Sequence, residues 1–197
     1  MKKTLLMLVV GLLLVNVVSA VDCADVPSEG DDGLLSENYT LTENITASSG
    51  GQSDRCLEIT AANVVLDCDG YSIDNNDMKL YVVTNHGNPG LEVKNCNFVD
   101  SVFLSLSATR SDDATITDNT FDKKVDWSGD GATITGNTFN DQLSLDGSNA
   151  LAQGNTFTVN LGVNADALML GAQAHDNVVD SNTFSQPAQI DADIKDG

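Results

Sequence analysis

A repeated octet of residues limits what this chain can fold into. The sequence ATITDNTF at residues 114–121 returns as ATITGNTF at residues 132–139, and shorter copies end in Asn-Thr-Phe at Phe157 and Phe184. The phenylalanines of the repeat, Phe98, Phe121, Phe139, Phe157 and Phe184, are separated by 23, 18, 18 and 27 residues. A repeat near 20 residues is typical of a solenoid, in which each unit buries its apolar face only by stacking on a neighbour.

Apolar side chains recur at fixed distances from each phenylalanine. The fourth and sixth residues after it are apolar in every copy, and the residue between them is Asp, Ser, Gly or Gln in all copies but one. This alternation is the pattern of a strand with one buried face. The fourth-residue column holds Val102, Val125, Leu143, Leu161 and Ala188, and the sixth-residue column holds Leu104, Trp127, Leu145, Val163 and Ile190. A third column, five residues before each phenylalanine, holds Val93, Ile116, Ile134, Ala152 and Val179, and Ile73 aligns with the phenylalanines themselves.

These columns predict an all-β fold, a right-handed parallel β-helix of about six coils with roughly three short strands in each coil. A left-handed hexapeptide helix would place its third apolar residue 12 positions after the first, whereas here it falls at 13 and the repeat length varies. An α-solenoid is disfavoured because no window shows sustained helical spacing and Thr, Asn and Asp are abundant.

One asparagine stands two residues before each of the last four phenylalanines. Asparagine tolerates the left-handed conformation of a tight turn, and its amide can bond to an asparagine one coil away. We therefore expect an asparagine ladder at one corner of the helix, made of Asn119, Asn137, Asn155 and Asn182.

The N-terminus has the pattern of a secretory signal peptide, with Lys2 and Lys3, an apolar run over residues 5–18 and a small-residue cleavage site ending at Ala20. We expect a signal peptide over residues 1–20, an N-terminal cap over residues 21–56 and a β-helix domain over residues 57–197. No second apolar span follows, so the expected location is secreted or at the cell surface, with no transmembrane segment after signal cleavage.

The chain is strongly acidic, with 29 Asp and Glu against 9 Lys and Arg and a formal net charge of −20. Loss of Lys2 and Lys3 with the signal peptide would make the mature chain more acidic still. Such a charge repels phosphate backbones and anionic lipid, which disfavours nucleic acid as a partner. We expect no cofactor, and calcium is left open as a ligand of the surface carboxylates.

Four cysteines follow the predicted cleavage site, an even number that favours disulfides in an exported chain. Three pairings are open. If Leu66 stacks on Val93, Cys68 and Cys96 come to nearly the same position on adjacent coils, which predicts Cys68–Cys96 and leaves Cys23–Cys56 to hold the cap. Asn38 and Asn44 each begin an N-glycosylation sequence, Asn-Tyr-Thr and Asn-Ile-Thr, and are candidate modification sites.

The chain resembles secreted right-handed parallel β-helix proteins of the pectin-lyase-like superfamily, most closely prokaryotic and archaeal cell-surface proteins. The resemblance covers about residues 35–190. It rests on the sequences YTLT at 39–42, CLEIT at 56–60, NVVLDCDGYSI at 63–73 and VKNC at 93–96, together with the Asn-Thr-Phe coils. The superfamily contains lyases, hydrolases, epimerases, adhesins and proteins without known activity, so the resemblance implies a fold more than a reaction.

The resemblance implies one set of candidate catalytic residues. Lyases of this fold are similar in using calcium held by carboxylates together with an Arg or Lys base, which would make Arg110 the base and Asp112 and Asp113 the calcium ligands. The alternative is that these residues form a solvated turn without a catalytic role. Hydrolases of this fold carry a Gly-His-Gly after an Asp-Asp pair, whereas here His86 precedes Asp112, and an Arg-Ile-Lys sequence is missing.

Two isolated histidines, His86 and His175, are expected as loop residues, and no metal site is expected. Trp127 falls in an apolar column and is expected to point into the core. The leading expectation is a non-catalytic secreted or cell-surface protein that binds an extracellular polysaccharide, acts as an adhesin or builds a surface layer with other proteins. The alternative is a polysaccharide lyase or glycoside hydrolase.

Overall fold

The computed structural model describes residues 21–23, 34–46, 55–74, 81–85, 87–100, 111–158, 168–170, 176–185 and 190–192. The regular elements of these residues are 22 short strands. In chain order the first eleven are β1 (Val21–Asp22), β2 (Leu34–Leu35), β3 (Tyr39–Thr40), β4 (Ile45–Thr46), β5 (Arg55–Ile59), β6 (Val65–Asp67), β7 (Ser72–Asp74), β8 (Tyr81–Asn85), β9 (Glu92–Lys94), β10 (Asn97–Val99) and β11 (Thr115–Thr117). The others are β12 (Thr120–Phe121), β13 (Val125–Ser128), β14 (Thr133–Thr135), β15 (Thr138–Phe139), β16 (Leu143–Asp146), β17 (Leu151–Gln153), β18 (Thr156–Phe157), β19 (Leu168–Leu170), β20 (Val178–Asp180), β21 (Thr183–Phe184) and β22 (Ile190–Ala192).

The strands stack into four parallel sheets. Sheet 1 has the order β1-β4-β7-β10-β12-β15-β18-β21, and sheet 2 the order β3-β6-β9-β11-β14-β17-β20. Sheet 3 is β13-β16-β19-β22, and sheet 4 is β2-β5-β8. Where all three strands of a coil are described, the coil runs from a strand of sheet 4 or sheet 3 to sheet 2 and then to sheet 1. The protein is therefore the right-handed parallel β-helix that the repeat predicts; the expected number of coils stays a prediction.

The phenylalanine column fills the interior behind sheet 1. Phe98 pairs with Phe121, and the pairing continues to Phe139, Phe157 and Phe184. The rings stack nearly parallel with centroids 4.9–5.2 Å apart. Ile73 pairs with Phe98 as expected. Because each ring covers the next, a stack of this kind buries far more apolar surface than any coil could bury alone.

Sheet 2 contributes the second inward column. Val93 pairs with Ile116, and the register continues through Ile134, Ala152 and Val179, as the repeat predicts. Leu66 pairs with Val93 one coil earlier. The residues on either side of these positions face outward, so threonine and other β-favouring side chains cover the sheet without breaking the core.

A ladder of buried amides joins sheet 2 to sheet 1. The backbone N–H and Nδ2 of Asn119 both donate to Oδ1 of Asn137, at 2.9 and 3.1 Å. Asn137 donates in the same way to Asn155, and Asn155 to Asn182. The Nδ2 groups also donate to carbonyls of the preceding coil, among them that of Val93.

The sequence suggested that the asparagine takes the left-handed conformation at these corners. In the structure the residue before the asparagine takes it. Positive φ angles occur at Asp118 (55°), Gly136 (68°), Gly154 (66°) and Ser181 (54°). This residue turns the chain outward, which leaves the asparagine side chain free to point into the coil.

The predicted partners of β16 in the later coils were wrong. Leu143 and Leu145 pair with Leu168 and Leu170, whereas Leu161 and Val163 were expected. Ile190 pairs with Leu168, so it belongs to the fourth-residue column and not to the sixth. The cause is the position of the insertion in the 27-residue repeat. Leu168 follows Phe157 by 11 residues, where Leu143 follows Phe139 by 4, so most of the insertion precedes β19.

Two disulfides tie the N-terminal coils together, Cys23–Cys56 and Cys68–Cys96. They close loops of 33 and 28 residues, for which the chain-entropy estimate is about 3–4 kcal/mol each. The segment expected as a cap supplies β1, β2, β3 and β4, which pair in register with the strands that follow.

Several expectations fall outside the described residues: the signal peptide over 1–20, the core positions Val102 and Leu104, and the loop histidines His86 and His175. Trp127 is described and is only 2% exposed, which confirms its inward position. Among the described residues there is no helix with the length and apolarity to cross a membrane.

Because the ladder amides are buried and hydrogen-bonded, truncation of a ladder asparagine should lower the stability of the fold. Asn137→Ala would remove the acceptor of two Asn119 donors and the donor to the Ile116 carbonyl, all of them buried. An unsatisfied buried group costs about 1–3 kcal/mol, so we expect a fall of about 3 kcal/mol in the free energy of unfolding, measured by chemical denaturation. The control is Thr138→Ala, at the neighbouring outward position, which should change it by less than about 0.5 kcal/mol. Equal midpoints for the two variants would contradict a stabilising ladder.

Candidate functional site

The corner between sheet 2 and sheet 1 changes its length along the helix. Four residues, 68–71, connect β6 to β7, but only two connect β9 to β10 and β11 to β12. The longer corner contains Asp69 and Gly70, both with positive φ, and projects from the surface. The step between a long corner and the shorter ones leaves a cleft beside the projecting turn.

This cleft, hereafter the corner cleft, is open to solvent and has a volume of about 450 Å³. That is within the range of small-ligand sites. Its lining is polar, and the exposed members offer carboxylate, amide and hydroxyl groups. The lining residues are Asp69, Gly70, Asn95, Cys96, Asn97, Asp118 and Thr120.

The disulfide forms part of the wall of the corner cleft. Cys96 stands at the position that the ladder asparagines take in later coils, and its backbone N–H donates to Oδ1 of Asn119 at 2.9 Å. Its sulfur is bonded to Cys68, which is buried. The covalent bond therefore links the long corner to the first short one and fixes the height of the step.

The two carboxylates of the corner cleft face solvent. Asp69 and Asp118 are exposed, and among the described residues neither side chain accepts a hydrogen bond or pairs with a cation. A carboxylate without a partner keeps its full capacity to accept hydrogen bonds from a ligand.

Asp67 organises the edge of the corner cleft. Its Oδ1 accepts from Nδ2 of Asn95 and from the backbone N–H of Asp69, both at 3.0 Å, so one carboxylate oxygen positions two lining residues. These bonds, the Asn95 bond foremost, lower the pKa of Asp67, and Lys94 lowers it further with Nζ at 3.9 Å. Lys94 is itself bonded to Glu92 at 2.7 Å, so this cation is shared between two carboxylates.

Of the candidate catalytic residues, the two that the structure describes, Asp112 and Asp113, do not line the corner cleft. Arg110 lies outside the described residues. Oδ1 of Asp112 accepts from the backbone N–H of Asp130, at 2.9 Å, which ties one coil to the next. Asp113 is exposed and has φ of 56°, and its Oδ1 lies over the backbone of Gly131. Both carboxylates belong to the turn between sheets, and their catalytic role stays a prediction.

No group of three or more His, Cys, Asp or Glu side chains in the described part of the chain is arranged to hold a metal ion. Calcium binding therefore stays an expectation from the sequence. The candidate glycosylation sites, Asn38 and Asn44, lie on the coil formed by β2, β3 and β4, hereafter the first coil.

Sequence reasoning missed the corner cleft, although a signal was present. Leu66 and Ile73 are seven residues apart, while Val93 and Phe98, which pair with them, are five apart. The two extra residues show a longer corner, but only once the register of the coils is known.

Comparison with known proteins finds no matching family model, no similar curated protein and no similar solved structure. Function is therefore inferred from the residues of this chain.

The lowered pKa of Asp67 predicts a pH dependence of stability. A group whose pKa falls on folding stabilises the fold above its ordinary pKa of 3.8, and this contribution is lost as the pH falls through the folded value. Asp67→Asn keeps an acceptor oxygen for Asn95 but cannot ionise. We expect the difference in denaturation midpoint between wild type and this variant to be largest near about pH 6 and to shrink towards about pH 2. A difference that does not change with pH would show that ionised Asp67 contributes nothing.

Proposed function

We propose that this protein is a non-catalytic, secreted or cell-surface β-helix that binds a polysaccharide at the corner cleft. The observation that carries the proposal is the cleft itself, where Asp69 and Asp118 have no partner and stand beside the amides of Asn95 and Asn97. Carboxylates and amides at one rigid step are suited to the many hydroxyl donors and acceptors of a sugar chain.

The charge of the corner cleft favours some polysaccharides over others. Its lining contains no Lys or Arg, and the chain as a whole has a net charge of −20. An acidic polymer would meet two unpaired carboxylates and a repulsive field. The ligand class that fits is a neutral or amine-bearing polysaccharide, because hydroxyl and ammonium groups both donate hydrogen bonds to carboxylates.

The scaffold and the composition support an extracellular setting. The two disulfides suit an oxidising compartment, and the predicted signal peptide would export the chain there. The resemblance to pectin-lyase-like cell-surface proteins points the same way. Stacked coils hold the corner cleft in a fixed place on the solenoid, which suits a surface-layer component or an adhesin.

The enzymatic alternative is a lyase or hydrolase built on Arg110, Asp112 and Asp113. The hydrogen bond from Asp130 N–H gives Asp112 a structural use in the turn, which favours the non-catalytic proposal. One assay separates the two, because an enzyme creates new chain ends and a binding protein does not.

The test measures binding and cleavage together. The mature protein is incubated with dextran, mannan, chitosan, polygalacturonate and alginate, with and without calcium, and both retention and new chain ends are followed. We expect retention on neutral or amine-bearing polymers without cleavage, and a loss of affinity of about tenfold or more in Asp69→Asn/Asp118→Asn, since two charge-assisted hydrogen bonds are lost.

The matched control removes the same charge elsewhere. Glu37→Gln/Glu43→Gln alters two acidic residues of the first coil, outside the lining of the corner cleft, and should bind like wild type. Equal losses in both double variants would mean that net charge and not the cleft governs binding. New chain ends that disappear in Arg110→Ala would overturn the proposal in favour of an enzyme, and retention on none of the polymers would also refute it.

A further inference from the structure

Both glycosylation sequences of the chain lie on its first coil. Asn38-Tyr39-Thr40 runs into β3, and Asn44-Ile45-Thr46 runs into β4. In a strand, residues two apart point to the same side. Ile45 is buried and Tyr39 packs against the core, so the asparagine and threonine of each sequence both lie on the outer face of a sheet.

In each of these asparagine side chains the amide oxygen accepts a hydrogen bond and the amide nitrogen does not donate one within the described residues. Oδ1 of Asn38 accepts from the backbone N–H of Val65 at 2.9 Å, and Oδ1 of Asn44 accepts from that of Ser72 at 2.9 Å. Within the described residues neither Nδ2 donates to any acceptor. The oxygen therefore holds each side chain in one orientation and leaves its nitrogen without a partner among the described residues.

The ladder asparagines show the opposite arrangement. Nδ2 of Asn119, Asn137 and Asn155 donates to a carbonyl of the preceding coil, and all three side chains are buried. None of them is followed two residues later by Ser or Thr. Of these asparagines, only the two within an acceptor sequence thus present a free amide nitrogen.

We propose that Asn38 and Asn44 each carry an N-linked glycan. The donor is an oligosaccharide joined through phosphate to a lipid. The bond from its anomeric carbon to the phosphate oxygen breaks, that carbon bonds to Nδ2, Nδ2 gives up one proton, and the lipid phosphate leaves. The modified amide keeps its carbonyl oxygen, so the bonds from Val65 and Ser72 survive and the folded coil accepts both glycans.

The two glycans would stand on adjoining faces of the same end of the helix. Asn38 lies on the outer face of sheet 2 and Asn44 on that of sheet 1. Asn44 adjoins Ser72, which pairs with Asn97 of the corner cleft, so two strand spacings, about 10 Å, separate Asn44 from Asn97. A glycan at Asn44 would therefore border the corner cleft, whereas one at Asn38 would stand around the corner from it.

The test is the intact mass of the protein isolated from the cells that secrete it, with glycopeptide sequencing. We expect two additions above the mass of the unmodified mature chain. Thr40→Ala should remove one, Thr46→Ala the other, and the double variant both. This outcome does not depend on polysaccharide binding by the corner cleft, so the two proposals can fail separately.

Two controls separate the acceptor sequence from general damage to the coil. Thr40→Ser preserves the acceptor sequence and should keep the glycan at Asn38. Thr42→Ala changes an exposed threonine between the two sequences and should keep both. A wild-type mass equal to that of the unmodified chain would overturn the proposal, as would added mass that persists in the Thr40→Ala/Thr46→Ala double variant.

Discussion

The hydrogen bonds between buried asparagine amides set the register on which the rest of this β-helix depends. Asn137 and Asn155 each accept from the asparagine of the preceding coil and donate to the asparagine of the next, so their amides pair fully only when the asparagines of adjacent coils lie in register. A slip of one residue would leave amides unpaired in the interior and would turn the phenylalanines outward. The ladder and the phenylalanine stack therefore enforce the same register, because each ladder asparagine lies two residues before a phenylalanine of the stack.

The corner cleft follows from where the ladder stops. Asn119 begins it, and Cys96 takes the next position towards the N-terminus, giving its N–H to the ladder and its sulfur to Cys68. A disulfide holds two coils together without requiring corners of equal length, so the corner at residues 68–71 can be longer than those that follow. The Cys68–Cys96 disulfide takes the place of an asparagine pair at this level of the ladder and so permits the step that makes the corner cleft. The candidate site therefore depends on how adjacent coils are held together.

The parts of this structure that repeat could be predicted, because every repeating residue meets its own equivalent one coil away. The phenylalanine column, the Val93–Val179 column and the pairing of Leu66 with Val93 follow from spacing alone. The pairing of β19 could not be predicted in this way. Leu161 and Val163 are two residues apart, as Leu168 and Leu170 are, so the spacing of apolar residues fits both registers. Nor can adjacent charges at 110–113 reveal that Asp112 bonds to the backbone of another coil.

If the corner cleft binds a polysaccharide as proposed, electrostatics would act on recognition at two ranges, through the field of the whole protein and through contacts in the cleft. The net charge of −20 acts on any approaching polymer, but at about 1 M salt its range shrinks to roughly 3 Å. Hydrogen bonds that a ligand formed with Asp69 and Asp118 would act at contact and would survive that screening better. Salt should therefore reduce the exclusion of acidic polymers more than it reduces binding of neutral ones. Any selectivity that persisted in high salt would have to come from the corner cleft, because the field of the whole protein would no longer reach the ligand.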